Sequence, residues 1–316
     1  MWLLCLKNDN MYFKYYNKRW NSLREVMKTY KSFSGIAWPT IGLFLTVSVI
    51  HLLTLDTYNL LYFSVGRCAL LILHVLCAYA QFTVMHDASH NAISTLPKWK
   101  WLNPFFGWMA QLWMGPISNF YAFRYLHRQH HAYTNDPEKD PDHWIVQGPK
   151  IFMFLRWLML DVGYWSFYIP KAWPLGWPQR WQTNKRPTKE IVIVWTYYLC
   201  IIALLLLSIY YGFFGLLFWN WILPSRLSKI LLAYLFDYLP HYPHKITQQQ
   251  DKYHTTRYLY FSPILQPFAT LCTLYQNFHI FHHLHPNQPF FCYRQGFLSM
   301  EKFLIEEKKI TAKKIL

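Results

Sequence analysis

The chain has 316 residues, 53% of them hydrophobic and only 15% charged, and its apolar residues gather in runs rather than in an amphipathic period, which is a membrane composition. The formal charge of +16 does not signal nucleic acid, because much of it lies in the N-terminal stretch and in Lys308, Lys309, Lys313 and Lys314, where anionic lipid headgroups account for it. The six cysteines form no CxxC pair, and Cys68, Cys77 and Cys200 lie in apolar stretches, so buried reduced thiols are expected.

Residues 1–34 are basic and aromatic, with Lys7, Lys14, Lys18, Arg19, Arg24, Lys28 and Lys31, and show no cleavable signal peptide. The run 36–55 carries no Lys, Arg or Glu and suffices for a hydrocarbon core of about 30 Å, so it is the first expected span. A second covers 60–85, with Arg67 near its start able to snorkel, and a histidine cluster begins one residue after it. The aromatic stretch 99–123, broken by Pro104, Gly107, Gly115 and Pro116, reads as a re-entrant or interfacial hairpin. Segment 151–169 is apolar but carries Arg156 and Asp161, and is laid on the membrane surface. Residues 171–189 form a loop with Pro170, Pro174, Pro178 and Pro187 as breakers. A third span runs over 191–210, and a fourth over 213–239, where Pro224, Ser225, Arg226 and Lys229 predict a bent or two-part helix. Residues 291–316 are a C-terminal tail whose Lys313-Lys314-Ile315-Leu316 ending resembles a dilysine retrieval signal. No repeat or second domain interrupts 1–316.

Charge sets the orientation. The basic N-terminal segment faces the cytosol, since the connection 51–62 contains no Lys or Arg. Two crossings then return the first histidine cluster to the cytosol, and two more return the last. The fold class expected is all-α: an integral, multi-pass helical bundle of about four transmembrane helices, with a cytosolic histidine-rich cap holding a dimetal site.

Three clusters define that cap: His86 and His90; His127, His130 and His131; His279, His282 and His283. On a helix, residues three and four apart share a face, so each cluster points two or three imidazoles one way. Neutral imidazole is the commonest protein ligand for iron, zinc and copper. A structural zinc takes four ligands and a catalytic zinc three, so eight histidines imply two ions. The exit of the fourth span adds His241 and His244 as further candidates, with Asp237 as an outer or water-mediated partner. Ligand imidazoles donate their other N–H to a carboxylate or carbonyl, a role open to Asp87 and to the run Asp136, Glu138, Asp140, Asp142, which equally suits a solvated turn on Pro137 and Pro141. His51, His74, His143, His254 and His285 are assigned to packing, loops or outer contacts. A metal transporter would need histidines at the bilayer midplane, where only His51 and His74 qualify. A zinc hydrolase would need a general-base glutamate as in HExxH, and no cluster holds one.

The motifs HDASHN, HRQHHAYTNDPEKDPD and FHIFHHLHP resemble the three histidine boxes of the membrane fatty-acid desaturase superfamily, and HDASHN, TNDPEKDPD and LPHYPH are similar to its carotenoid-modifying branch, the β-carotene hydroxylases and ketolases. The resemblance covers the first span to about residue 290. It implies a non-haem centre of two iron ions, O2 as co-substrate and a membrane-dissolved hydrocarbon as substrate. A carotenoid hydroxylase or ketolase is the expectation, with a fatty acyl desaturase or hydroxylase as the alternative. A ninth histidine is implied from the helix before the third box, which suits His241 or His244. The chain shows neither a GxGxxG fingerprint nor a haem-binding signature, so electrons must come from a separate ferredoxin-like protein, cytochrome or flavoprotein reductase.

Overall fold

A computed structural model describes residues 31–55, 65–162, 164, 168, 186–310 and 312–314. The basic segment up to residue 30, most of the uncharged connection after the first span and residues 171–185 of the proline-rich loop lie outside the described residues.

Helix α1 (Trp38–Leu53) begins with Pro39 in its first turn, where a missing N–H is harmless and φ is preset. It is shorter than the predicted run because the residues before it pair instead with the chain after the first histidine cluster: Ile36 forms an isolated bridge with Ser94, and the Ala37 N–H donates to the Ile93 carbonyl at 2.8 Å. Helix α2 (Val65–Ser89) does not stop at residue 85 as expected. Nothing between Met85 and Ser89 breaks a helix, so His86 belongs to its last turn, and the chain turns away only at Asn91, whose φ is +59°.

The aromatic stretch folds as helix–turn–helix. Helix α3 (Leu102–Gln111) leads through Gly115, with φ +91° and Ser225 packed where a side chain would project, to α4 (Phe120–Tyr133). The Asn119 side chain caps α4 by accepting the Ala122 N–H at 2.8 Å. Its Nδ2 donates to Tyr198 Oη at 2.9 Å, tying α4 to a later helix. Helix α5 (Met153–Leu158) and the turn before it expose Ile151, Phe152, Phe154 and Leu155, an apolar outward face.

Helix α6 is Thr188–Tyr210. Of the bent or two-part helix expected around Pro224, the two-part form is not seen: α7 (214–241) stays helical through two π-turns, Phe218–Ile222 and Ala233–Tyr238. Proline cannot donate to the carbonyl four residues back, and His51 Nε2 takes up that Asn220 carbonyl at 2.8 Å. His51 stacks on His74 with ring centroids 4.2 Å apart, so both do serve packing.

Two described helices, α2 and α6, are long and apolar enough to cross a membrane; α1 is apolar but has only 16 residues. Cys77 is buried, whereas Cys68 and Cys200, expected to be buried, face outward from α2 and α6.

Beyond α7 come β1 (Tyr258–Tyr260), α8 (Gln266–Cys272), α9 (His279–Leu284), α10 (Tyr293–Lys302) and β2 (Ala312–Lys314), which pairs parallel with β1. One aromatic core joins α1, α2, α3, α4 and α7 through Phe44, Phe82, Phe106, Phe123 and Phe236. A second gathers Tyr258, Phe278, Phe281, Tyr293 and Phe297. Residues beyond 290 are therefore no mere tail. Phe281 of α9 lies against Gly296 so closely that a side chain there would collide, making α10 a wall behind the third cluster.

Candidate metal centre

Four segments deliver histidines to one buried place: the end of α2, the C-terminal half of α4, the last residue of α7 and all of α9. His86, His90, His127 and His282 offer nitrogen atoms all within 4.8 Å of one another, and so do His130, His241, His279 and His283. His131 joins the first group, its Nε2 standing 3.2 Å from His127 Nε2 and 2.9 Å from His282 Nε2. All eight box histidines thus meet, with His241 as a ninth. His244 does not join: its ring lies 6.2 Å from that of His241 and outside both groups. The reason is local. Tyr242 precedes Pro243 and is held out of the helical region (ψ 133°), so α7 ends at His241 and His244 leaves its axis.

Whether the groups suit a cation is decided by where their protons sit. His130 Nδ1 donates to Asp140 Oδ1 at 2.9 Å. His279 Nδ1 donates to Gln276 Oε1 at 2.9 Å. Thr134 Oγ1 gives its own proton to the His130 carbonyl at 2.8 Å and accepts from His283 Nδ1 at 3.4 Å. With Nδ1 protonated, each of these rings turns a bare Nε2 inward. Yet His283 Nε2 and His241 Nε2 stand 3.1 and 3.2 Å from His279 Nε2, and His130 Nε2 is buried with no hydrogen-bond partner. Converging lone pairs repel unless a cation lies among them, so this donor set fits a transition metal. The first group repeats the pattern, with His86 Nε2 3.1 Å from His282 Nε2 and the His282 Nδ1 held by Tyr293 Oη at 2.9 Å.

Burial, reinforced by neighbouring rings, pulls the pKa values of His127, His131, His279, His282 and His283 well below the usual 6.5, which keeps their nitrogens free as donors. His130 behaves oppositely. Burial opposes its charge, but Asp140 and Asp142 overcome that and carry it up to about 9. The carboxylates that raise its affinity for a proton also raise its donor strength toward a metal. Burial pulls His244 down to about 4.

Of the acidic candidates, Asp140 partners a histidine directly and Asp142 stands 3.5 Å from the same His130 Nδ1. Asp136 closes the turn by accepting the Glu138 and Lys139 N–H groups. Asp87 lies 3.9 Å from His86 Nδ1 and spends its oxygens on Thr40 Oγ1 at 2.8 Å and the Phe290 N–H at 3.2 Å. Asp237 lines a small cavity that touches both groups, at His127 and His279.

The family model described as fatty acid desaturase matches residues 62–307, most of the chain and every histidine of both groups. The chain belongs to the fatty acid desaturase family. It is similar to the dihydrorhizobitoxine desaturase of Bradyrhizobium elkanii, 25% identical over 224 residues, covering 66% of this chain and 60% of that protein. It is also similar to a Delta(12) fatty acid desaturase of Caenorhabditis elegans, 39% identical over 70 residues, covering 22% of this chain and 17% of that one. The chain thus matches less than two thirds of the length of these curated relatives. Within this site, Gln276, Tyr293 and Thr134 escape a reading of the sequence. Gln276 carried a signal, standing three residues before His279 on the same helical face, whereas Tyr293 reaches His282 only through the packing of α10.

Proposed function

We propose that this chain is an O2-dependent oxidoreductase holding two non-haem iron ions and acting on a lipid hydrocarbon, with electrons from a separate carrier protein. The inward lone pairs of two histidine groups carry the proposal. His86, His90, His127, His131 and His282 would hold one ion, and His130, His241, His279 and His283 the other. Two such ions supply the redox capacity to reduce dioxygen at the expense of an unactivated C–H bond. The chain's own residues do the rest. Asp140, Gln276, Thr134 and Tyr293 hold Nδ1 protons so that Nε2 stays free, and Phe82, Phe123 and Phe236 keep water from the cavity wall. Four crossings with the histidines on the cytosolic side remain the topology that charge favours.

Family and relatives favour an acyl chain and desaturation, the alternative weighed in the sequence, over a carotenoid. The motifs HDASHN, TNDPEKDPD and LPHYPH still support carotenoid hydroxylation or ketolation as a second reading. Expression in cells that make both β-carotene and ordinary phospholipids separates the two. New acyl double bonds with unchanged pigment are the expected result, and oxygenated carotenoid reverses it. Purified protein that carries zinc alone and consumes no oxygen would sink the diiron reading.

A further inference from the structure

Residues 258–278, between Arg257 and the first histidine of the third cluster, contain no Asp, Glu, Lys, Arg or His. Within them α8 and the turn before it are folded inside out. Ile264 is 89% exposed and Phe268 67%, with Leu265, Leu271 and Cys272 also outward. The polar side chains turn inward instead: Asn277 Nδ2 donates to Thr270 Oγ1 at 3.0 Å, and Thr273 Oγ1 to the Ala269 carbonyl at 2.8 Å. A helix bordering water carries the opposite pattern.

The backbone is closed on itself at both ends of α8. The Phe261 N–H donates to Gln266 Oε1 and the Gln266 N–H to the Ser262 carbonyl, both at 2.8 Å. At the far end the Leu274 N–H reaches the Leu271 carbonyl at 3.1 Å and the Tyr275 N–H the Thr270 carbonyl at 2.8 Å. This is a Schellman closure in which Leu274, with φ +48°, holds the left-handed position usually given to glycine. These turns spend their N–H groups inside the segment, as a hydrocarbon surrounding requires.

Helix α2 gives the depth. Its outward stripe runs through Ile72 and Leu76, 60% and 52% exposed. One turn on, Tyr79 is covered, and its hydroxyl donates to the Thr273 carbonyl at 3.2 Å. Tyr79 precedes His86 by seven residues, about 10 Å along a helix axis. The end of α8 therefore sits on the lipid-facing stripe of a helix long and apolar enough to span, on the membrane side of the histidines. An interface with a soluble partner carries a polar rim, and residues 258–278 offer no charge to form one.

We infer that residues 261–272 dip into the hydrocarbon of the leaflet on the histidine side without crossing it, a bilayer contact additional to the crossings proposed above. The occupant of this face is lipid acyl chain, which an interfacial helix enters to about 5–10 Å. Because the chain passes from α8 through Leu274 and Tyr275 directly to Gln276 and His279, the third cluster is seated on the membrane by its own anchor. The inference rests on α2 being a span and is independent of the metal.

The test places a nitroxide at Phe268→Cys, in the full chain with its native cysteines changed to serine, in phosphatidylcholine vesicles. Collision rates with oxygen, which concentrates in hydrocarbon, and with a water-soluble nickel chelate are read by power saturation. Leu76→Cys is the lipid control and Lys245→Cys the aqueous one. The Phe268 label is expected to follow Leu76, with oxygen exceeding nickel several-fold. Nickel exceeding oxygen at Phe268 alone overturns the inference and leaves α2 in the membrane. Shielding from both reagents at Phe268 assigns the face to a second copy or another protein, and overturns it too. An aqueous result at Leu76 removes the membrane reading of α2 and this inference with it. Should the cysteine-free chain fail to insert, a lipid-phase diazirine on the unaltered protein decides: label within 258–278 supports the dip, and label on α2 without it overturns the dip.

Discussion

Replacing Asp140 by asparagine changes one oxygen to nitrogen and tests the proton placement on which the metal site depends. Asp140 Oδ1 accepts from His130 Nδ1 at 2.9 Å and from the Asp142 N–H at 2.9 Å, while Oδ2 accepts from the Asn135 N–H at 2.7 Å. All three partners are donors. An asparagine amide must aim its NH2 at one side, leaving either the Asn135 N–H or the His130 side facing another donor. In the second orientation His130 escapes the clash only by moving its proton to Nε2, where it points into the histidine group and blocks a ligand. Either outcome leaves a buried donor unsatisfied, at about 1–3 kcal/mol. Loss of an outer partner of this kind typically lowers metal affinity about 10- to 100-fold. Metal content by emission spectrometry after dialysis against a chelator, with a thermal melt on the same sample, reads both effects. Asp142, farther from His130 at 3.5 Å and partly exposed, serves as the control, and Asp142→Asn should do much less. An Asp140→Asn protein with parental metal content and melting temperature would refute the reasoning.

Three further outcomes follow from the same geometry. His241→Ala should lower bound metal toward one ion per chain and abolish oxidation, whereas His244→Ala should retain both ions; loss of metal in the second variant alone would reverse the assignment. Tyr293→Phe leaves His282 Nδ1 buried without its 2.9 Å partner, so activity and metal retention should fall about 10-fold while the aromatic packing of α10 survives, which a melting curve checks. In chelator-treated protein, stability should decline on both sides of about pH 6.5. The six box histidines with depressed pKa values, His90 among them, stay neutral when folded but take up protons when unfolded, so stability falls as pH drops below about 6.5; His130, raised to about 9, stabilises fully below 6.5 and loses that contribution as pH climbs toward 9. A melting temperature that rises on acidification from about pH 6.5 to about pH 5 contradicts this linkage.

Most of the donor set was legible because helical spacing is local arithmetic: His127, His130 and His131 share a face whatever surrounds them. His241 was within reach too. Pro243 disfavours helical geometry at Tyr242, and applying that rule singles out the histidine before the break over the one after it. The end of α2 was misjudged because hydropathy was taken as helix length, while His86 to Ser89 are polar yet contain no breaker. At Pro224 the sequence left a bent and a two-part helix open, and the His51 ring that takes up the Asn220 carbonyl and keeps the helix undivided lies far away in sequence. The wall formed by α10 had no signal in the chain. It depends on Gly296 admitting the Phe281 ring, a contact that only tertiary packing creates.

Asp87 shows how the four histidine-bearing segments are kept in register. A buried carboxylate inside the first cluster would ordinarily be expected to serve a ligand imidazole, yet its hydrogen bonds go to Thr40 on α1 and to the backbone of Phe290 just before α10. Burying a carboxylate costs desolvation energy, and two donors supplied by distant segments offset that cost. One side chain thereby fastens the end of α2 to the first helix and to the turn that follows the third cluster. Because α9 is itself pressed onto α10 through Phe281 and Gly296, the 3.1 Å approach of His86 to His282 rests on the same packing. The histidine groups are therefore held by the packing of the bundle and not by their own helices alone, and loosening Thr40 should widen the site without touching any ligand.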